Sequence, residues 1–288
     1  MTTFQTPNPI SVDIDLGWGD VHVVATDRAD TVAEVRPADP EKSSDVKTAA
    51  DASVELVGDV LTVRSTKGWL HYTPFGSGGK VDVTIEVPEG SEIRGATGAG
   101  RLLAEGMVGA VTFRSGAGDI RVDEAQRVTA RTASGAIIIG RATGSVELTT
   151  SAGSVRIQEL SGEATIKNPN GSTTIGEVTG TLSVQGAHGD VTVANARGSV
   201  TAKSSYGNLL VERIDGGRVQ LEAGYGGIEV GIAEGTAAWL DVSSQHGAIR
   251  NTLTPADAPG MDDDTVELHA RTSWGDILIR RPSSTPAR

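Results

Sequence analysis

Five ring-bearing side chains occupy the same place in successive repeats of this 288-residue chain, directly before a recurring glycine. They are His188, Tyr206, Tyr225, His246 and Trp274. Flat rings in one register can bind a sugar chain, a peptide or another protein, or they can stack on one another and stabilise the fold. Both interpretations stay open at this stage. In either case we expect the five rings to lie on one edge of the molecule, partly exposed and in chain order.

The side chains that catalysis or metal binding would need are missing or scattered. No cysteine is present, which excludes disulfides, zinc–thiolate sites and thiol nucleophiles. Asp119 and Asp190 follow repeat glycines directly and lack the paired-glycine pattern of a calcium-binding β-roll. The five histidines are scattered, and neither a Gly-x-Ser-x-Gly elbow nor a phosphate-binding loop occurs. The sequence therefore predicts a protein that is not an enzyme and that uses no cofactor and no metal ion.

Charge and hydropathy narrow the choice of partners. The formal net charge is −12, with acidic and basic residues interspersed, so the basic surface that binds nucleic acid is missing and anionic membranes repel the chain. No apolar run approaches the roughly 18 residues of a membrane span. Residues Met1 to Pro7 lack the basic and apolar regions of a secretory signal, which predicts a cytoplasmic protein. We expect a protein or a glycan as partner, and the oligomeric state stays open.

The glycines that follow the rings belong to a longer series, which predicts the fold. A glycine returns every 17 to 21 residues, at Gly100, Gly118, Gly135, Gly153, Gly171, Gly189, Gly207, Gly226 and Gly247. Between them, aliphatic and polar residues alternate over two short segments, which is the pattern of two strands joined by a turn. Such a unit cannot bury its apolar face alone, so copies must stack with equivalent strands paired in parallel. The predicted class is all-β, a right-handed parallel β-solenoid (β-helix) with rungs of about 18 residues.

Three further series mark positions within each rung. A second set of glycines predicts another corner with positive φ: Gly109, Gly144, Gly162, Gly180, Gly198 and Gly217. Small polar residues three places before the repeat glycine face inward and are expected to hydrogen-bond between rungs or close the turn: Thr97, Ser115, Thr132, Thr150, Asn168, Ser204, Ser244 and Thr272. Gly186 and Ala223 interrupt this polar series. An inward apolar column is expected two places after the glycine, at Ile120, Ile137, Val155, Val191 and Leu209.

The repeats are less regular near both ends of the chain. Residues 1–90 contain strand candidates separated by long connections, Pro37 to Ala52 and Thr66 to Gly79, and antiparallel hairpins there would cover the open edge of the solenoid. Residues 91–281 form the repeat solenoid, interrupted by an acidic loop inserted at 253–265 before a last rung. We expect residues 282–288 to be a disordered tail.

The rungs resemble a known group of proteins. Ser115-Gly116-Ala117-Gly118-Asp119-Ile120-Arg121-Val122 and Thr272-Ser273-Trp274-Gly275-Asp276-Ile277-Leu278-Ile279 are similar to the serial segments of the bacterial β-strand-repeat family labelled "putative adhesin", whose function is unknown. The N-terminal Pro9-Ile10-Ser11-Val12 and the stretch from Lys67 to Gly76 resemble actinobacterial members without a signal sequence. The resemblance implies a right-handed β-helix without established catalytic residues.

The sequence as a whole favours a non-enzymatic binding or scaffold protein, with the five rings as the candidate binding residues. Two alternatives remain. One is an enzyme that acts on a polymer such as a polysaccharide, because several such enzymes are β-helices. The other is a self-assembling structural protein that uses the ends of the solenoid.

Overall fold

The alternation of apolar and polar residues produces strands along nearly all of the chain. The computed structural model describes residues 1–65, 78–253 and 265–282. Within them the chain forms two compact units, Met1–Thr150 and Ser151–Arg288. Most of the predicted loop at 253–265 and of the tail at 282–288, and the stretch from Lys67 to Gly76, lie outside the described residues.

The first unit contains one described helix and ten complete strands. These elements are β1 (Thr2–Gln5), β2 (Ser11–Thr26), β3 (Asp30–Pro37), α1 (Ser43–Ala50), β4 (Ser53–Val57), β5 (Val60–Arg64), β6 (Val81–Pro88), β7 (Glu92–Ala99), β8 (Leu102–Ala117), β9 (Ile120–Ser134) and β10 (Ile137–Ala142). Strand β11 (Val146–Ala152) runs across the boundary. The helix lies in the predicted irregular connection Pro37 to Ala52, where the sequence analysis missed it.

The second unit contains strands only, as far as its described residues extend. They are β12 (Val155–Leu160), β13 (Glu163–Asn170), β14 (Thr173–Val178), β15 (Thr181–His188), β16 (Val191–Ala196), β17 (Ser199–Tyr206), β18 (Leu209–Ile214), β19 (Gly217–Tyr225), β20 (Ile228–Ile232), β21 (Ala237–His246), β22 (Ile249–Asn251), β23 (Thr265–Trp274) and β24 (Ile277–Arg280).

In both units, equivalent strands of successive rungs pair in parallel, which confirms the predicted parallel β-solenoid. In the second unit, the strands β12, β14, β16 and β18 place Val155, Thr173, Val191 and Leu209 opposite one another, each 18 positions further along the chain. In the first unit, Leu102, Ile120 and Ile137 are matched in the same way. All the members of the predicted apolar column are buried inside their unit.

The predicted cover of the N-terminal edge is also confirmed. In the first unit, β4 pairs antiparallel with β5, and β3 pairs antiparallel with β6. Strand β1 then adds to the outer side of β3, also antiparallel. Strands β5 and β6 form the edge rung of this unit. Their outer backbone groups are therefore hydrogen-bonded to the antiparallel strands β4 and β3, which cover the edge.

Rung order in space differs from rung order in sequence near the two termini. In the first unit, β2 pairs in parallel with β5 and β6 on one side and with β7 and β8 on the other. In the second unit, β23 lies between β19 and β21, and β24 lies between β20 and β22. The first solenoid rung of the chain, β2, is therefore inserted between two rungs that follow one another in sequence. The last rung, formed by β23 and β24, is inserted in the same way between another such pair.

The two glycine series have different physical causes. With the exception of Gly247, the repeat glycines adopt φ between 140° and 153°, for example 141° at Gly189 and 153° at Gly226, which L side chains rarely adopt. The prediction of a positive φ for the second series is wrong, except at Gly217 (92°). The second glycines are required by close packing of the rungs: a Cβ at Gly180 would lie 1.9 Å from the carbonyl oxygen of Gly162.

The small polar series links adjacent rungs, as predicted. Within the first unit, Ser115 Oγ donates to the carbonyl oxygen of Gly100 at 3.0 Å, and Thr132 Oγ1 donates to that of Gly118 at 3.1 Å. In the second unit, Thr272 Oγ1 donates in the same way to Gly226 at 3.0 Å. These bonds satisfy hydroxyls that would otherwise be buried without a partner at a cost of about 1–3 kcal/mol each.

The interruption at Gly186 leaves an unfilled position in this series. The amide nitrogen of the neighbouring Asn168 donates within its own turn, but its Oδ1 atom is buried without a hydrogen-bond partner. A Cβ at Gly186 would meet no heavy atom closer than 3.6 Å, so a serine fits there without a clash.

We expect Gly186→Ser to raise the free energy of unfolding by about 0.5–1 kcal/mol, because a strand glycine is replaced and a hydroxyl donor faces Asn168. Urea denaturation followed by circular dichroism measures the change. Gly176→Ser is the matched control, because its Cβ would lie 2.3 Å from the carbonyl oxygen of Gln158, and this variant should be destabilised. Equal losses in the two variants would contradict the prediction.

Candidate functional site

The five predicted rings all end strands of the second unit. Each is the last residue of its strand and stands directly before a repeat glycine: His188 (β15), Tyr206 (β17), Tyr225 (β19), Trp274 (β23) and His246 (β21). Parallel pairing brings them into one register, because His188 is opposite Tyr206, Tyr206 opposite Tyr225, and Tyr225 opposite Trp274. The strand end and the glycine corner together place each side chain at the edge of its rung.

The rings form one continuous stack, here called the aromatic stack. His188 and Tyr206 have ring centroids 5.0 Å apart with an interplanar angle of 6°, and Tyr206 and Tyr225 are 5.0 Å apart at 5°. Tyr225 and Trp274 are 6.3 Å apart at 6°, and Trp274 and His246 are 3.9 Å apart at 20°. The spacing follows the separation of about 4.8 Å between paired strands, which suits offset-stacked rings.

The order of the stack corrects the sequence prediction. We expected chain order, with His246 between Tyr225 and Trp274. In the structure Trp274 lies between Tyr225 and His246, because its strand β23 is intercalated between β19 and β21. His246 is therefore the last ring of the stack at this end.

The exposure of the inner rings shows which parts of them a partner could touch. Tyr206, Tyr225 and Trp274 are 51%, 52% and 50% exposed, although each has a stacked ring on both faces. The exposed half is consequently the rim, which carries the tyrosine hydroxyls and the indole N–H. The surface offers ring edges and hydrogen-bonding groups, whereas the ring faces are covered.

A ladder of Asp and Asn side chains runs beside the stack. Asp190 Oδ1 accepts a hydrogen bond from the backbone N–H of Asn208 at 2.7 Å, and Asn208 Oδ1 accepts one from Gly227 at 2.9 Å. Asp276 Oδ1 accepts one from Ala248 at 2.8 Å. In the first unit Asp119 does the same for Ala136 at 2.7 Å. The residue after the repeat glycine thus caps the corner of the neighbouring rung, a role that the sequence analysis missed although Gly-Asp recurs in the repeats.

A second ring pair lies on the outer surface of β21 and β23 and was not predicted. Trp239 and His269 have centroids 5.1 Å apart in an edge-to-face arrangement. His269 donates to Glu267 at 2.9 Å and to Asp241 at 3.1 Å when both ring nitrogens are protonated. The hydrogen bond to Glu267, followed by that to Asp241, raises the pKa of His269. Hydrogen bonds from His269 and Arg271 in turn lower the pKa of Asp241, so this carboxylate stays ionised and Arg271 offsets its charge.

A groove of about 500 Å³ lies on the outer face of the first unit. Its lining includes the side chains of Asp20, His22 and Arg101. Burial alone would raise the pKa of Asp20, but hydrogen bonds from the backbone N–H of Arg101 and from Lys80 outweigh it and lower the pKa. His22 lies 3.1 Å from Glu105. Asp20 is therefore satisfied by its neighbours, whereas Nε2 of His22 is buried without a hydrogen-bond partner.

Across residues 1–65, 78–253 and 265–282, no group of three or more His, Asp or Glu side chains is arranged to hold a metal ion. In the same part of the chain, no helix combines the length and apolar character needed to span a bilayer.

Rungs of about 18 residues, repeat glycines with positive φ and parallel pairing between equivalent strands define a β-strand-repeat solenoid. Residues 10–283 match the model of the family described as Toastrack DUF4097, and the chain belongs to this family. The resemblance inferred from the repeat segments is thereby confirmed, and the function of the family is unknown.

Solved structures add two similar chains. A putative cell adhesion protein from Clostridium sporogenes ATCC 15579 is 9% identical, over 97% of this chain and 98% of that chain, with a TM-score of 0.24. A putative adhesin (BF0245) from Bacteroides fragilis NCTC 9343 is 11% identical, over 96% of this chain and 95% of that chain, with a TM-score of 0.34. No curated protein is significantly similar to the chain in sequence.

Proposed function

We propose that this protein is a non-catalytic binding protein that recognises a protein partner through the exposed rims of the aromatic stack. The observation that carries the proposal is the half-exposure of three consecutive, fully stacked rings, Tyr206, Tyr225 and Trp274. Aromatic residues that combine an apolar body with a polar tip are enriched at protein interfaces, and a few of them usually dominate the binding energy.

The geometry of the stack favours a protein over a glycan. Sugars bind aromatic side chains by laying their C–H groups on a ring face. Both faces of Tyr206, Tyr225 and Trp274 are already covered by neighbouring rings. A glycan lying along the stack would meet only rims, whereas a protein can combine apolar contact with hydrogen bonds to the hydroxyls and the indole N–H.

Stacking and binding are compatible roles of the same rings. Each stacked pair contributes about 0.5–1.5 kcal/mol to stability, which explains the covered faces. Stability alone gives no reason for tyrosine hydroxyls on the outer rim. Two kinds of substitution separate the roles: Phe keeps the stack and removes the hydroxyls, and Ala removes both.

The test compares four forms of the protein as bait in extracts of its source bacterium, with captured proteins quantified by mass spectrometry. The double variant Tyr206→Ala/Tyr225→Ala should lose the partner that the wild type captures. It should also lose about 1.5–4.5 kcal/mol of stability, from three contacts of about 0.5–1.5 kcal/mol each. Tyr206→Phe/Tyr225→Phe should keep the wild-type melting temperature but bind the partner less strongly.

Trp18→Ala is the matched control, because Trp18 is a comparably exposed aromatic residue at the same repeat position in the first unit. This variant should capture the same proteins as the wild type. Retention of every captured protein by the double alanine variant would contradict the proposed function and leave the stack with a structural role only.

A further inference from the structure

The terminal rung of the second unit has one unpaired side. Strand β21 (Ala237–His246) pairs with β23, and β22 (Ile249–Asn251) pairs with β24. Within the described part of the chain, neither strand has a second hydrogen-bonded neighbour. Among the described residues, the backbone donors and acceptors on the other edge of the ten-residue strand β21 therefore have no strand partner.

The inward side chains of this rung are incompletely buried. Leu240 and Ile249 are opposite Leu268 and Ile277 of the intercalated rung. Leu268 and Ile277 are 0% exposed, whereas Leu240 is only half-buried and Ile249 is 44% exposed. Val242 is likewise half-buried. The interior of the solenoid thus reaches the surface at this rung as an apolar strip bordered by a strand edge.

Devices that normally prevent strand edges from pairing are absent from β21. The strand, Ala-Ala-Trp-Leu-Asp-Val-Ser-Ser-Gln-His, contains neither proline nor lysine. Its one carboxylate, Asp241, is paired with His269 at 3.1 Å and with Arg271 at 3.0 Å. In the first unit, by contrast, β3 and β4 cover the edge rung.

We propose that the free edge of β21 pairs with β21 of a second copy of this chain, antiparallel and about a two-fold axis. Charge supports a second copy as the occupant. Two chains of net charge −12 repel each other, so a contact between them needs a neutral strip. Because the ion pair with Arg271 offsets the charge of Asp241, β21 is such a strip. A two-fold contact uses the same edge on both copies and is closed, so it produces a dimer and not a fibre.

The chemistry of the strand limits the register of this dimer. Inward residues must face inward residues, which pairs even-numbered positions with even-numbered ones. A two-fold axis at Asp241 would set two carboxylates directly opposite each other, which is unfavourable. The axis therefore passes through Leu240 or Val242. An axis at Leu240 also sets Val242 against Ala238, whereas an axis at Val242 sets Leu240 against Ser244.

Sedimentation velocity over a range of concentrations gives the first test. The wild type is expected to show a concentration-dependent monomer–dimer equilibrium. Val242→Lys, which puts an inward lysine on the edge strand, should weaken dimerisation by about 10-fold or more. Leu210→Lys, an outward substitution on β18, should leave it unchanged. A wild type that is monomeric up to millimolar concentration, or a Val242→Lys variant that dimerises as the wild type does, would overturn the proposal.

Cysteine cross-linking gives an independent test that does not depend on destabilising a variant. Since the chain contains no cysteine, single variants report only on the introduced thiol. Under mild oxidation, either Leu240→Cys or Val242→Cys should form a disulfide-linked dimer, because only the residue on the axis meets its own copy. Val57→Cys, exposed in the first unit, is the control and should stay monomeric. Equal cross-linking of all three variants, or none at the two β21 positions, would overturn the proposed dimer.

Discussion

Replacement of Leu209 by aspartate is expected to lower the free energy of unfolding by about 4 kcal/mol or more. Leu209 is 1% exposed and lies between Val191 and Ile228 of the neighbouring rungs. The variant loses the buried leucine and places a carboxylate where no cation can reach it. Urea denaturation followed by far-ultraviolet circular dichroism measures the change.

The adjacent residue is a matched control. Leu210 belongs to the same strand, β18, but points outward and is only half-buried. Leu210→Asp should change the free energy of unfolding by much less than Leu209→Asp, because the carboxylate remains hydrated. If Leu210→Asp were the more damaging of the two, the inward and outward faces of the rung would be assigned the wrong way round.

Removal of residues 265–288 is expected to unfold the whole C-terminal part of the second unit, not merely to shorten the solenoid by one rung. The deleted strands β23 and β24 are the neighbours of both β19–β20 and β21–β22. They also supply Val266, Leu268 and Ile277 to the core, each of which is buried and contributes about 1.5–3 kcal/mol. Hydrogen exchange measured by mass spectrometry should find β21 and β22 unprotected in the truncated chain, while β12 to β18 keep their protection.

One alternative outcome is specific enough to be recognised. In the truncated chain β21 could close the gap by pairing directly with β19, since both strands end in a ring followed by a glycine. Protection of β21 in the truncated chain would indicate this closure and contradict the prediction. We expect the closure to be weak because Gly227 would replace Asp276, so the backbone N–H of Ala248 would lose its side-chain acceptor.

The repeat made much of this fold predictable. The spacing of the glycines and the alternation between them identified the rungs, the inward column that includes Val155 and Leu209, and the five members of the aromatic stack. These features depend on the length of the repeat and on the alternation of inward and outward positions along each strand, both of which can be read from a sequence directly. The small polar residues could be placed for the same reason.

The order in which the rungs lie next to one another could not be predicted from the glycine spacing and the alternation. Every rung has the same register, so the pattern does not indicate that Trp274, rather than His246, is the ring that stacks on Tyr225. The helix α1 was missed because its eight residues lie between a proline-containing segment and a short strand, where helix periodicity has little length in which to appear. The capping role of Asp119 and Asp190 was missed because their side chains were considered only for catalysis and calcium binding, although the recurrence of Gly-Asp was visible.

Because the C-terminal rung is intercalated, the strands of the second unit are not synthesised in the order in which they lie side by side in the sheet. Strands β21 and β22 leave the ribosome before β23 and β24, which form their side of the sheet. At about 5–20 residues per second, the interval is short, but during it the nascent second unit has a gap in its core. Completion of this unit therefore depends on the last segment of the chain. A ribosome that stops early releases a chain in which β21 and β22 have lost their pairing strands and stay unfolded, a form that chaperones and proteases can distinguish from the finished one.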